Sequence, residues 1–137
     1  MHRSVLYKGV GEGLTAFSFC VIMNVNGINW KIKFTSSERD LTVNGTVRLG
    51  VTDRNTATIY LYDGLYGNLL RKVLIHELTH AWLFSYDYDL DVEVEELICS
   101  FVDTYAQDIV FMADDLLAEN IFMRKFKKPI DLFGSMS

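Results

Sequence analysis

The chain has 137 residues and a mass of 15.7 kDa, half of them apolar and 23% charged. That is enough for the core of one globular domain, 1–137, and it excludes a disordered chain. A net charge of −5, from 18 acidic against 13 basic residues, gives no overall attraction to nucleic acid or to an anionic membrane, and Cys20 and Cys99, far apart and in no C-x-x-C pair, fit a reducing cytoplasm better than a disulfide scaffold.

The apolar run 14–25 has the length of a signal-peptide core, but Glu12 precedes it and no A-x-A-like site follows. Asn24, Asn26 and Asn29 interrupt it before it reaches the ~18 to 20 residues of a membrane helix. Within it, Phe17, Phe19, Val21, Met23 and Val25 alternate with smaller or polar residues, as do Ile28, Trp30, Ile32 and Phe34 further on. This period of two predicts strands on either side of Asn26-Gly27, and Asn-Gly between two such runs predicts a type I′ hairpin turn. Further strands are expected over 46–51 and 56–62, with turns at Asn44-Gly45 and around 53–55. The N-terminal sheet therefore covers about 17–62.

After Asp63 the spacing becomes helical. Leu69, Val73, His76, His80 and Leu83 share one face of a helix over about 66–86. An acidic loop follows, in which Asp89 or Asp91 can cap a second helix running to about 111 or 112, with Glu93, Glu95 and Glu96 at the positive end of its dipole. A third helix is expected over about 115–126. Its basic end, Arg124, Lys125, Lys127 and Lys128 before Pro129, suits a helix C-terminus and could also meet a partner.

The first of these helices contains His76-Glu77-Leu78-Thr79-His80, an H-E-x-x-H pattern that this composition would produce by chance roughly 0.002 times. Residues four apart lie one turn apart, so the two imidazoles can reach one ion at the ~2.0 to 2.1 Å of a Zn–N bond. Glu77 sits beside that face, near enough to reach water at the metal without binding the metal itself. A catalytic zinc takes three protein ligands. His2, the remaining histidine, lies near the terminus, so a carboxylate is expected, and Glu93, Glu95, Glu96 and Asp103 are all available. Glu95 shares a face with Cys99, Val102 and Ala106, which reads as inward. Glu96 is followed by the small Cys99 and Ser100, which would let the two helices approach closely.

An H-E-x-x-H helix followed by a second helix with a glutamate and a small residue three positions on resembles the gluzincin arrangement. The stretches 75–81 and 95–102 look like the compact ImmA/IrrE-like metallopeptidases, especially short H-E-L-T-H-A proteins of bacteriophages and prophages. Residues 25–34, 50–53 and 59–61 look like the same proteins, so the resemblance covers about 19–117, while the leading segment 1–16 has no counterpart. The resemblance implies zinc ligands at His76, His80 and Glu96 and a general base at Glu77. Where such proteins carry Asp or Asn four residues after the glutamate, this chain has Ser100, so a supporting hydrogen bond is expected to be weaker or to come from Asp103.

The expected fold is therefore α+β, a zincin-like minimal domain with a small twisted sheet packed on the H-E-x-x-H helix and a second ligand-bearing helix. The expected function is that of a cytoplasmic zinc metallopeptidase acting on a protein or peptide substrate, with no nucleic-acid or membrane partner. Tyr86, Tyr88 or Tyr105 would supply a donor to the oxyanion, and Ile59-Tyr60-Leu61, if beside the cleft, could pair with an extended peptide. The competing expectation is an interaction or inhibitor protein that keeps the zinc fold and binds a host or phage factor without cutting it.

Overall fold

A computed structural model describes residues 3–8 and 18–127, with side chains from Cys20 onward. His2, the segment 9–17, Lys128 and Pro129 lie outside the described residues. The fold is α+β. Part of the leading segment forms an added edge strand, β1 (Arg3–Lys8), antiparallel to β2 (Ser18–Val25). β2 turns into β3 (Ile28–Thr35) through Asn26 and Gly27, whose φ angles of 51° and 85° are both positive, as a type I′ turn requires.

The next stretch departs from expectation. A four-residue helix, α1 (Glu38–Leu41), is too short to have shown a period, and the single strand expected over 46–51 is divided. β4 (Thr42–Val43) and β5 (Thr46–Val47) make a separate hairpin over Asn44-Gly45, with φ of 51° and 79°. The Arg48 N–H then donates to the Leu41 carbonyl at 2.8 Å, which holds the chain to that hairpin before it enters β6 (Gly50–Asp53). At the next turn the Asn55 N–H donates to Asp53 Oδ1 at 2.9 Å, and β7 (Thr58–Tyr62) follows.

The main sheet has the order β1-β2-β3-β7-β6, with β7 parallel to β3 and antiparallel to β6. This corrects the expectation for Ile59-Tyr60-Leu61. They lie in an interior strand whose backbone is paired on both sides, so they cannot accept a peptide. The edge strand beside β7 is β6, and β1 is the other edge.

Met23, Val25, Trp30, Ile59 and Leu61 form the buried face of the sheet. Against them lies α2 (Gly67–Ser85), through Leu70, Leu74, Leu78 and Ala81. That stripe is displaced by one residue, about 100° round the helix, from the line of Leu69, His76 and His80. Leu69 is accordingly exposed, and the histidines are left to a different face. Trp30 anchors the end of α2, since its indole N–H donates to Ser85 Oγ at 2.7 Å and its ring stacks on Phe84.

α3 (Val92–Leu117) begins just after Asp91, whose carbonyl accepts the Glu95 N–H at 2.9 Å. It continues beyond the expected 111 or 112, because 113–117 contains neither glycine nor proline. The break falls at Glu119, in an extended conformation, so α4 is Asn120–Phe126 and starts later than expected. The chain divides into two compact units, Met1–Thr104 and Tyr105–Ser137. No helix among the described residues is long and apolar enough to cross a membrane.

Candidate metal centre

The first unit gathers ionisable side chains from α2 and the first half of α3. The imidazoles of His76 and His80 meet edge to face with centroids 5.1 Å apart, as four-residue spacing on a helix allows. Glu96 spans both rings, with Oε2 3.1 Å from His76 Nε2 and Oε1 3.1 Å from His80 Nε2. The opposite nitrogens have their own carboxylates: His76 Nδ1 is 2.8 Å from Asp103 Oδ2, and His80 Nδ1 is 2.7 Å from Glu95 Oε2.

Glu95 and Glu96 thus take different places in the same cluster. The side chain of Glu95 is 14% exposed and that of Glu96 40%, so Glu95 lies deeper in the cluster. Its oxygen reaches the back of one imidazole, however, while Glu96 faces the front of both. Glu93 is exposed and outside the cluster. Ser100 is also exposed, and Asp103, seven residues after Glu96, occupies the His76 Nδ1 position instead.

Lys72 donates to Asp103 Oδ1 and, at 3.0 Å, to Thr104 Oγ1, which itself donates to Asp103 Oδ1 at 2.8 Å. Burial disfavours the charge on Asp103, but the hydrogen bonds from Lys72, His76 and Thr104 outweigh it and hold the carboxyl below the usual carboxylate range. A fixed anion at Nδ1 favours the tautomer with its proton there. A neutral imidazole carries one ring proton. If Nδ1 uses that proton on Asp103 or Glu95, both Nε2 atoms present lone pairs towards the oxygens of Glu96. Acceptors facing acceptors at 3.1 Å suit a cation, and this donor set of two nitrogens and a carboxylate fits a divalent metal.

Cys99, fully buried one turn beyond Glu95 and Glu96, adds a sulfur. Its ligand atom and those of His76 and His80 all lie within 4.8 Å of one another. Burial, and then the surrounding carboxylates of Glu96, Glu95, Glu77 and Asp103, push its thiol up to about 12.

Glu77 stands between the helix and the sheet edge. It is only 5% exposed, and burial raises its carboxyl pKa although His80, His76 and a hydrogen bond from Thr52 pull the other way. Thr52 Oγ1 lies 3.2 Å from Glu77 Oε1 and 3.1 Å from the Glu77 carbonyl. Beside Thr52 in β6, Gly50 leaves the room Glu77 needs: a Cβ there would come within 2.8 Å of both Glu77 Cγ and Val73 Cγ1.

His76, Glu77, His80, Glu95, Glu96 and Asp103 line a cleft of about 480 Å³ whose walls include Leu49, Val51, Leu69 and Phe84, with the cations Arg48 and Lys72. Tyr86 and Tyr88 are half-exposed and not among the residues lining it. Neither of these two is therefore brought to this cleft as the expected tyrosine donor. Sequence reasoning also missed Thr52, Gly50, Lys72 and Cys99 as parts of the site. The first two come from a strand edge whose pairing depends on distant contacts, and Lys72 is an ordinary surface residue by pattern. Comparison with known proteins finds no match among family models, curated proteins or solved structures.

Proposed function

We propose that the chain is a zinc-dependent metallopeptidase of zincin-like architecture, with His76, His80 and Glu96 as ligands and Glu77 as general base. The observation that carries this reading is the placement of Glu96 across both Nε2 atoms while Asp103 and Glu95 hold both Nδ1 atoms. A site meant only for packing has no use for four acceptors converging on two rings. Zinc held there supplies a Lewis acid that polarises a carbonyl and makes water more acidic.

The chain's own groups do the rest. Asp103 and Glu95 orient the imidazoles and fix their tautomers, and Lys72 with Thr104 fixes Asp103. Glu77, whose Oε1 accepts from Thr52, takes the proton of the attacking water on its other oxygen and returns it to the leaving nitrogen. Burial, which raises its carboxyl above the usual carboxylate range, favours the proton-accepting role. The Tyr62 N–H donates to the Leu49 carbonyl at 2.9 Å, so by antiparallel alternation the backbone groups of Gly50 and Thr52 point away from β7. That edge can hold an extended peptide alongside Glu77 by backbone hydrogen bonds.

Cys99 favours a second reading. A sulfur next to both histidines could complete a four-ligand site of the closed, structural kind, and the protein would then bind a partner without cutting it. Glu77→Gln separates the two. For a peptidase it keeps fold and zinc content and lowers turnover by about 10² to 10⁴. Unchanged biological effect with no cleavage product by mass spectrometry would remove the enzymatic reading and leave the metal-binding one.

A further inference from the structure

Among the described residues, every charged side chain that lines the cleft has a partner but one. Lys72 donates to Asp103 and Thr104, Asp103 also meets His76, Glu95 meets His80, Glu96 spans both imidazoles, and Glu77 accepts from Thr52. Arg48 alone makes no side-chain hydrogen bond, ion pair or ring contact with a described residue, and it is exposed. An unpaired arginine is ordinary on an open surface, but the backbone that carries this one is held in place. Its own N–H donates to the Leu41 carbonyl at 2.8 Å, and the carbonyl of the next residue, Leu49, accepts the Tyr62 N–H at 2.9 Å. Little backbone order is then left to impose when a ligand binds.

The Leu49–Tyr62 bond continues the β6–β7 ladder, in which Gly50 faces Leu61. Arg48 therefore stands two residues before Gly50, the residue against which Glu77 packs, a separation of about 7 Å in extended chain. A peptide lying along β6 carries one of its own groups past Arg48 about two residues from the group beside Glu77. The group that suits a guanidinium is a carboxylate, which its planar fork holds through two N–H donors. Leu49, Leu69 and Val92, exposed in the same cleft, add apolar surface, so the fitting ligand is a peptide with an apolar side chain as well and not a small inorganic anion. We propose that Arg48 is a specificity residue of this cleft. It selects extended peptides that present a carboxylate, from an Asp or Glu side chain or from a chain end, about two residues from the position beside Glu77. The inference rests on the cleft being a peptide site and does not depend on cleavage.

Full-length Glu77→Gln protein in zinc-containing buffer, where binding is read without turnover, tests it by fluorescence anisotropy with labelled hexapeptides built around Leu. One arm blocks both peptide ends and compares Asp or Glu with Asn or Gln at each position in turn. The other keeps every side chain neutral and compares a free with an amidated C-terminus. At one position of the first arm, or at the free terminus of the second, the carboxylate should tighten binding about fivefold, the upper range of an exposed ion pair. Arg48→Gln in the same background should abolish the difference and Arg48→Glu should reverse it in favour of Lys, with zinc content and melting temperature near those of the parent. The proposal is overturned if no peptide binds, if no carboxylate is preferred, or if the preference survives Arg48→Gln. Cleavage of the same peptides by the wild-type chain is read separately. Peptides cut with no carboxylate preference overturn this inference and leave the peptidase reading standing, whereas peptides bound with the preference but never cut do the reverse.

Discussion

Two faces of α2 do different work. One, through Leu70, Leu74, Leu78 and Ala81, packs on Trp30, Ile59 and Leu61 and excludes water. The other, one residue round the helix, carries His76, Glu77 and His80 and collects three acidic side chains from α3. The apolar face contributes stability in proportion to the area it buries. The ionisable face concentrates carboxylates around two imidazoles, an arrangement that costs free energy unless a cation or protons compensate it. One face holds the fold and the other is held by it, so substitutions should separate into those that change stability and those that change chemistry.

The sharpest separation is Glu77→Gln. A loss of about 10² to 10⁴ in turnover, with thermal stability and zinc content near wild type, is the largest functional effect expected, and peptide hydrolysis beside a thermal melt measures both. A large fall in melting temperature would instead assign Glu77 to the packing of β6 on α2. Trp30→Ala should do the reverse. It removes the buried indole and its bond to Ser85, costing about 3 to 5 kcal/mol by denaturant titration, while any protein that remains folded should keep its metal affinity.

Smaller effects test how the ligand face is supported. Asp103→Asn and Glu95→Gln each remove an anion behind one imidazole, and each should weaken zinc binding by about 10 to 100-fold in competition with a chromophoric chelator. If neither changes affinity, the Nδ1 contacts do not orient the rings. Gly50→Ala is the mildest. Displacing Glu77 and Val73 costs about 1 to 3 kcal/mol by the usual scale of overpacking, and because it moves Glu77 it should also lower turnover, so it touches both stability and chemistry.

Much of this was legible in the sequence where the signal was local. The Asn26-Gly27 hairpin, the change of period after Asp63 and the H-E-x-x-H pair need only neighbours a few residues apart. Spacing brought Glu95 and Glu96 equally close to the site, and only the structure separates them, because a 100° step round α3 decides which ring atom each carboxylate meets. The edge position of β6, the interior position of β7 and the Thr52 contact to Glu77 depend on pairing between distant segments, which no local period encodes. Helix lengths were misjudged for another reason: 113–117 has weak amphipathic order but nothing that stops a helix.

The central claim is that His76, His80 and Glu96 hold one metal ion. The most direct measurement is zinc content and affinity of protein purified without chelator, for wild type, Glu96→Gln and Cys99→Ser. The account predicts about one zinc per chain, weakened more than 100-fold by Glu96→Gln, beyond the range of supporting-residue changes, and little altered by Cys99→Ser. Wild-type protein that takes up no zinc would contradict it, as would zinc lost on Cys99→Ser and unaffected by Glu96→Gln.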